Sequence, residues 1–269
     1  MSVRAAILTA LLCLAGSRLF SAPIFFAEDH LQTLHGHCLI APSTMHDRVR
    51  LDLESGDCEG PNRDCHNHDD DEIPLSNFQG LALADFEHEG AHIEAKIVAE
   101  AGTISCSGEI HGATLSGDYT FTPDAGFVDR MTHLGFTDFS SGKLEAYTLF
   151  HIDTAWVEAL RSAGVTDMDS GNIIALHIFK ITPDFVRSMA DLGYANLSAG
   201  KLIEFGVQHV NPDEVKEYRA LGYHPTADEL VQMRIFKVTP DFIHRMEARG
   251  FSNLTISKLV QIRIFNLAE

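Results

Sequence analysis

Basic side chains are scarce in this sequence of 269 residues: 20 Lys and Arg stand against 38 Asp and Glu, a formal net charge of −18. The deficit is concentrated in residues 23–121, where 19 acidic and 4 basic side chains give a net of −15, against −5 for residues 122–269. A phosphate backbone is bound by a basic face, so this charge argues against nucleic acid as a partner. An acidic first half fits solubility, attraction of cations or a basic partner.

Long apolar runs are also missing beyond the amino terminus. From residue 17 onward no stretch is long and apolar enough to cross a membrane. The exception opens the chain, where Arg4 precedes an uncharged apolar run over residues 5–16 that is too short to span a bilayer. This pattern is typical of a cleaved export signal. We therefore expect residues 1–22 to be a signal peptide and the protein to be secreted or periplasmic, with no stable membrane span after cleavage.

Cysteine is sparse, and loss of the signal would remove Cys13 and leave four: Cys38, Cys58, Cys65 and Cys106. An even number of cysteines in an exported chain suggests disulfides. Cys58 and Cys65 are close enough in sequence to close a small loop, which leaves Cys38 to pair with Cys106. The alternative is that some of the four remain free and buried.

A period of 29 residues marks the second half. Five glycines stand 29, 29, 29 and 28 residues apart: Gly135, Gly164, Gly193, Gly222 and Gly250. Eleven residues before each glycine lies a residue of helix-capping type: Asp124, Asp153, Thr182, Asn211 and Thr239. Four or five residues after it lies another: Ser140, Asp169, Ser198, Thr226 and Thr255. Proline follows the first cap in three repeats, where a first turn tolerates it, and glycine suits the residue that ends a helix. We predict five repeats of two helices each.

Apolar residues keep one register on each predicted helix, which is typical of a core face. On the first helices they are Val128, Val157, Val186, Val215 and Ile243, followed three residues later by Met131, Leu160, Met189, Tyr218 and Met246. On the second helices they are Leu144, Ile173, Leu202, Leu230 and Leu259. An apolar residue also follows each glycine, where it is expected to wedge the two helices together: Phe136, Val165, Tyr194, Tyr223 and Phe251. The pattern predicts an α-solenoid, stabilised by repeats and by the interfaces between neighbours.

A binding role of the array requires exposed positions that differ between repeats. One register of the first helices meets this requirement, with Asp129, Glu158, Arg187, Lys216 and His244. These residues are our candidate binding surface for a protein partner. The alternative is an ordinary solvated helix face.

The first half reads as β-structure. Val49, Leu51 and Leu53 alternate with charged neighbours, and residues 103–110 and 115–121 alternate in the same way. Glycines at 108, 112 and 117 suit turns or bulges, and a helical turn over residues 76–86 is expected with Ser76 as its cap. The fold class is α+β with two domains: a small antiparallel β domain over residues 23–121, then an α-solenoid of five two-helix repeats over residues 122–269.

An acidic loop in this half combines imidazole and carboxylate side chains: His66, His68, Asp69, Asp70, Asp71 and Glu72. Carboxylates suit calcium, and paired histidines suit zinc or nickel. The loop lacks the regular spacing and glycine of an EF-hand. A solvated, disordered loop is therefore the alternative to a cation site.

A second motif matches the H-E-x-x-H pattern through His88, Glu89 and His92. On a helix, two such histidines bind zinc and the glutamate activates a water molecule, as in metallopeptidases. Residues 91–101 contain good helix formers, so a helix is compatible with the sequence.

Other residues argue against this zinc site. Gly90 weakens a helix inside the motif. The downstream positions where one metallopeptidase class has glycine and histidine hold Ala95 and Val98, and Glu109, the only nearby third ligand, falls in a predicted strand.

The segments "ITPDFVRSMADLGYANLSAGKL" at residues 181–202 and "VTPDFIHRMEARGFSNLTISKLVQIRIF" at residues 238–265 resemble helical repeats of exported bacterial proteins. Similar repeats are appended to membrane-sensor metallopeptidases of the Bla-regulator type. The segment from "PLSNFQGL" to "GDYTFTPDAGFVDRM" resembles the β segment before such repeats, so the resemblance covers most of residues 48–267. It implies that residues 91–98 form a strand, which would separate His88 from His92. The membrane peptidase domain of those sensors is missing here, so the resemblance implies architecture and no activity.

Three functional hypotheses follow from the sequence. The first is an exported interaction or scaffold protein without a cofactor, whose helical repeats bind a protein partner. The second is a small secreted zinc hydrolase that uses Glu89, and the third is a protein that binds divalent cations such as calcium or zinc through its acidic loop. Whether residues 88–98 form a helix or a strand separates the enzyme from the binding module.

Overall fold

The computed structural model of the chain describes residues 31–55 and 68–265. The predicted signal peptide lies outside the described residues, and so does the predicted pairing of Cys58 with Cys65.

Seven β-strands of the described residues form one antiparallel sheet. They are β1 (Leu34–Pro42), β2 (Arg48–Ser55), β3 (His68–Pro74), β4 (Phe78–Gln79), β5 (His92–Ala99), β6 (Gly102–His111) and β7 (Thr114–Pro123). Their order across the sheet is β3-β2-β1-β7-β6-β5-β4, so the first and last long strands, β1 and β7, meet at its centre. The expected antiparallel β-structure is confirmed.

One face of the sheet is apolar and the other is polar, as the alternation of residue types predicts. Val49, Leu51 and Leu53 of β2 are buried. The central strands add alternate residues to the same core: Cys38, Ile40, Ile97, Ile104, Ile110, Leu115, Tyr119 and Phe121. On the other face, exposed side chains such as His37 and Asp118 lie opposite each other on β1 and β7.

The connection from β3 to β5 differs from the expected helical turn over residues 76–86. Two short 3-10 helices occur instead, over Leu75–Asn77 and Leu83–Glu87. Ser76 lies inside the first of them and caps neither, because the residues before the two helices are Pro74 and Ala82.

A disulfide joins Cys38 of β1 to Cys106 of β6, as the sequence predicts. The two strands lie on either side of β7, and yet the two Cα atoms are only 6.0 Å apart. Gly117 of β7 faces both Cys38 and Gly108 in register. A Cβ atom on Gly117 would lie 2.6 Å from the Gly108 Cα and 2.1 Å from the Ser107 carbonyl oxygen. These two glycines therefore permit a close approach of backbones rather than a bulge.

Ten α-helices of nine residues each follow the sheet within the described residues. They are α1 (Ala125–His133), α2 (Ser141–Leu149), α3 (Thr154–Ser162), α4 (Ser170–Ile178), α5 (Pro183–Asp191), α6 (Ala199–Val207), α7 (Pro212–Ala220), α8 (Ala227–Ile235), α9 (Pro240–Ala248) and α10 (Ile256–Ile264). We number the five helix pairs as repeats 1 to 5, from α1–α2 to α9–α10. All ten predicted caps are found, each with its side-chain oxygen accepting from an amide of the first turn.

Left-handed residues separate the helices. The five repeat glycines have φ between 82° and 100°, as expected for residues that end a helix. The second helices end differently, with non-glycine residues at φ between 51° and 57°: His151, Lys180, His209 and Lys237. These are the residues expected at the negative ends of the second helices, and the fifth, Asn266, lies outside the described part of the chain.

The helices pack in two series along the chain. Each first helix contacts the first helix of the next repeat, from α1 to α9. Each second helix likewise contacts the second helix of the next repeat, from α2 to α10. The predicted core registers are buried with three exceptions, of which one is Tyr223, a half-buried wedge residue of repeat 4. In α1, Phe127 is buried and Val128 only half-buried, because the neighbour of repeat 1 is the sheet. In repeat 5, Phe251 is exposed instead of acting as a wedge.

Candidate binding surface on the second helices

Helix α2 joins the helical array to the sheet. It contacts β5, β6 and β7, and its residues Glu145 and Leu149 are each only 1% exposed. The Tyr119 hydroxyl of β7 donates a hydrogen bond to the buried carboxylate of Glu145. The hydrophobic core therefore runs without a break from the sheet into repeats 1 and 2, where it ends at Ile173.

A second contact of this joint involves the turn between β5 and β6. Glu100 accepts from the Thr154 amide at 2.7 Å and from the Thr154 hydroxyl at 3.0 Å, and it pairs with the Arg130 Nε at 2.9 Å. Thr154 is the first residue of α3, whose amide has no partner inside the helix. The corresponding residues of α5, α7 and α9 are prolines, which have no amide hydrogen to satisfy.

The positions of Glu145 and Leu149 recur on the outward side of every later second helix. They are occupied by the pairs Ile174 and Ile178, Ile203 and Val207, Val231 and Ile235, and Val260 and Ile264. We call these eight residues the outer stripe. Every one of them is a β-branched apolar residue, whereas an exposed helix face normally carries polar side chains.

In repeat 1 the two equivalent positions are buried beside the sheet, whereas the outer stripe of repeats 2 to 5 is partly accessible to solvent. Ile178, Val207, Ile235 and Ile264 are 49%, 44%, 50% and 49% exposed. Their partners one turn earlier are half-buried between neighbouring helices, or buried in the case of Val260. Phe179 and Phe265 add exposed aromatic rings to the same helix ends. A row of apolar side chains on this scale is typical of a protein-binding surface.

Charges of both signs flank the outer stripe. The Lys201 ammonium lies 2.7 Å from the Asp228 carboxylate and also pairs with Glu204. The hydrogen bond that the Lys201 ammonium donates to Asp228 is the main reason that the pKa of Lys201 is raised, and the one that it donates to Glu204 adds to the effect. The middle repeats therefore carry two carboxylates and one ammonium group in a single connected cluster.

The candidate surface predicted from the sequence lies on the first helices. All five of its residues are exposed: Asp129, Glu158, Arg187, Lys216 and His244. Three of them form ion pairs within their own helix, with Asp184, Asp213 and Glu247. Their exposure agrees with the prediction, but their local pairs are typical of a solvated face. The sequence did contain a signal for the outer stripe, namely β-branched residues at one register in four consecutive repeats.

The H-E-x-x-H residues do not share a helix. His88 follows a 3-10 helix and its Nδ1 lies 2.8 Å from the Ala84 carbonyl oxygen, whereas His92 begins β5 and its Nε2 lies 3.3 Å from the Ser107 hydroxyl. The helical alternative for residues 88–98 is therefore wrong. Two physical causes are visible: Gly90 adopts φ 75°, and the following residues alternate toward the core of the sheet.

Glu89, the proposed catalytic base, belongs to a different cluster. Its carboxylate lies 3.1 Å from the His111 Nδ1 and accepts from the Gly112 amide at 3.0 Å. The hydrogen bond with His111 lowers the pKa of Glu89 and raises the pKa of His111. Glu109 pairs with the other ring nitrogen, at 3.4 Å. This arrangement keeps the carboxylate ionised on an exposed hairpin, where it stabilises the turn.

The acidic loop is described only in part. His66 lies outside the described residues, and the backbone of His68, Asp69, Asp70, Asp71 and Glu72 belongs to β3, so these five residues form an edge strand rather than an open loop. The backbone carbonyl oxygen of the half-buried Glu72 accepts a hydrogen bond from the Arg48 guanidinium. Among the side chains that the structure describes, which do not include those of residues 68–71, no group of three or more His, Cys, Asp or Glu residues converges in a way that could hold a metal ion.

None of the helices in the described residues is long and apolar enough to cross a membrane. No protein-family model, curated protein or solved structure matches this chain.

Proposed function

We propose that this protein is an exported interaction protein, in which a disulfide-linked β domain begins an α-solenoid and the outer stripe of the solenoid holds a protein partner. One observation carries the proposal. The two equivalent positions of repeat 1, Glu145 and Leu149, are buried in a helix that contacts the sheet, whereas the outer stripe exposes about half of one apolar side chain in each of repeats 2 to 5.

The series of contacts between successive helices supports a solenoid, in which each repeat contacts only its neighbours. Such arrays present extended surfaces that bind proteins. The Cys38–Cys106 disulfide supports export, because disulfides persist in oxidising compartments. The resemblance of the repeats to those of exported bacterial proteins points in the same direction.

The experiment is a photocrosslinking scan in the source cells. A photoreactive phenylalanine analogue replaces Ile235 in the outer stripe, and in a matched variant it replaces Glu158, which is exposed on a first helix. We expect an adduct of higher mass from position 235 and none from position 158. Equal labelling at both positions, or no adduct at 235, would contradict the proposed function.

A further inference from the structure

The four exposed residues of the outer stripe form a row that reads nearly the same in both directions. In repeat order they are Ile178, Val207, Ile235 and Ile264, three isoleucines and a valine with similar exposure. A two-fold axis between repeats 3 and 4 would place Ile178 of one copy opposite Ile264 of the other. It would likewise place Val207 opposite Ile235. Such a row is self-complementary in shape, which is what a two-fold interface between identical chains requires.

The flanking charges favour the same arrangement. A reversed pairing of two arrays places repeat 3 of one copy opposite repeat 4 of the other. Lys201 belongs to repeat 3, where Glu204 also pairs with it, and the exposed Asp228 belongs to repeat 4, so the Lys201 ammonium of each copy would lie opposite the Asp228 carboxylate of the other. These residues already attract each other within one chain, at 2.7 Å.

The acidic half of the chain decides between the two possible directions. Residues 23–121 carry a net charge of −15, and the sheet contacts the array through repeat 1. Two arrays side by side in the same direction would bring both sheets together, and their charges would repel. A reversed pairing over repeats 2 to 5 places the sheets at opposite ends, far beyond the roughly 8 Å over which physiological salt leaves charges unscreened.

We propose that the partner held by the outer stripe is a second copy of this chain, bound antiparallel about a two-fold axis between repeats 3 and 4. This inference rests on the proposed function, because it takes the outer stripe to be the binding surface. It deepens that function by naming the occupant and the direction in which it lies. In the dimer, the second copy would cover the outer side of the second helices in repeats 2 to 5, as the sheet covers it in repeat 1.

Sedimentation velocity of the full chain at micromolar concentrations gives the first measurement. We expect a species of twice the monomer mass, and a dissociation constant raised at least about tenfold by Ile235→Ser. The matched control, Glu158→Ser on a first helix, should leave the dissociation constant unchanged. Circular dichroism confirms that each variant is folded. A monomer at all concentrations, or a dimer that Ile235→Ser leaves intact, would overturn the proposal.

Disulfide trapping tests the direction. Under mild oxidation, a mixture of the single variants Val207→Cys and Ile235→Cys should form a covalent dimer, because the two positions face each other across the axis. Each variant alone should remain uncrosslinked, which also controls for the natural cysteines. Crosslinking of each variant with itself would indicate a parallel pairing and contradict the proposal.

The photocrosslinking scan separates the two proposals. An adduct at position 235 that contains only this chain supports both of them. An adduct with a different protein retains the binding function and overturns the second copy as occupant. The absence of any adduct overturns both.

Discussion

Replacing Glu100 by alanine tests whether this carboxylate joins the sheet to the helical array. The side chain is 29% exposed and contacts the Thr154 amide at 2.7 Å, the Thr154 hydroxyl at 3.0 Å and the Arg130 Nε at 2.9 Å. A hydrogen bond to a charged group contributes about 1.5–3 kcal/mol, and an ion pair as exposed as that with Arg130 adds little. We expect the variant to lose about 2 kcal/mol of unfolding free energy.

The assay is urea unfolding followed by circular dichroism, together with a thermal melt. For a chain of this size, each kcal/mol lowers the midpoint temperature by about 2–4 °C, so a fall of about 4–8 °C is expected. The control Glu158→Ala, on an exposed helix face, should remain within about 0.5 kcal/mol of the natural protein.

A second substitution makes the test specific to the amide of α3. Thr154→Pro removes the donor and introduces the residue that begins α5, α7 and α9. In the natural protein, Thr154→Pro removes the hydrogen bond from the residue 154 amide to Glu100. In the Glu100→Ala background that amide has no carboxylate to bind, so the same substitution removes only an unpaired donor. The loss caused by Glu100→Ala should therefore be smaller in the Thr154→Pro background. The reasoning is refuted if Glu100→Ala behaves like the control, or if the two effects simply add.

Three further predictions concern other parts of the fold. The double variant Cys38→Ala/Cys106→Ala removes a link between residues 68 apart and should cost about 2–4 kcal/mol in denaturant unfolding; an unchanged midpoint would contradict this. His177 lies with its ring 5.1 Å from that of Trp156, the only tryptophan, and burial lowers the pKa of His177 below 6.5. Its folded pKa is below its unfolded pKa, so its contribution to stability is complete above pH 6.5 and is lost as the pH falls toward the folded pKa. Tryptophan fluorescence should therefore titrate with a midpoint below 6.5, and a similar titration in His177→Gln would assign it to another group. Lys180 has φ 57°, a conformation that suits glycine, so Lys180→Gly should raise stability by about 0.5–1 kcal/mol in thermal melts, and a loss would show that the side chain contributes to packing.

The helices could be predicted because their determinants are local. A cap such as Thr182 and the proline beside it lie within one turn of the residues they organise, and Gly193 ends the same helix. Because the sequence repeats every 28 or 29 residues, the same helix boundaries are predicted for the other repeats. Two of the three exceptions lie at the ends of the array: Phe127 is buried in place of Val128 in repeat 1, and Phe251 is exposed in repeat 5. The third, the half-buried Tyr223, lies in repeat 4.

The joint and the candidate surface could not be predicted in the same way. Glu100 and Thr154 are 54 residues apart, and nothing in the spacing of either residue indicates the other. Glu145 reads as a solvated residue on a helix, yet the fold buries it against Tyr119. The β-branched register of the outer stripe is visible in the sequence, but the sequence does not show which side of the second helices packs against protein, as the burial of Leu149 does. The H-E-x-x-H pattern is local, and it suggested a helix. Pairing with β6, which the local pattern does not indicate, places His92 and the residues after it in strand β5 instead.

The start of α3 also bears on how an array of this kind can change its length. Repeats whose first helix begins with proline, as at Pro183, Pro212 and Pro240, have no amide hydrogen at that position and therefore need no counterpart of Glu100. A duplicated copy of such a repeat could be inserted between any two repeats of the array. Each insertion would lengthen the outer stripe by the residues of one repeat. A copy of the unit that begins at Thr154 would instead carry an amide that depends on Glu100. Growth by duplication should therefore cost less stability for the distal units than for the one beside the sheet.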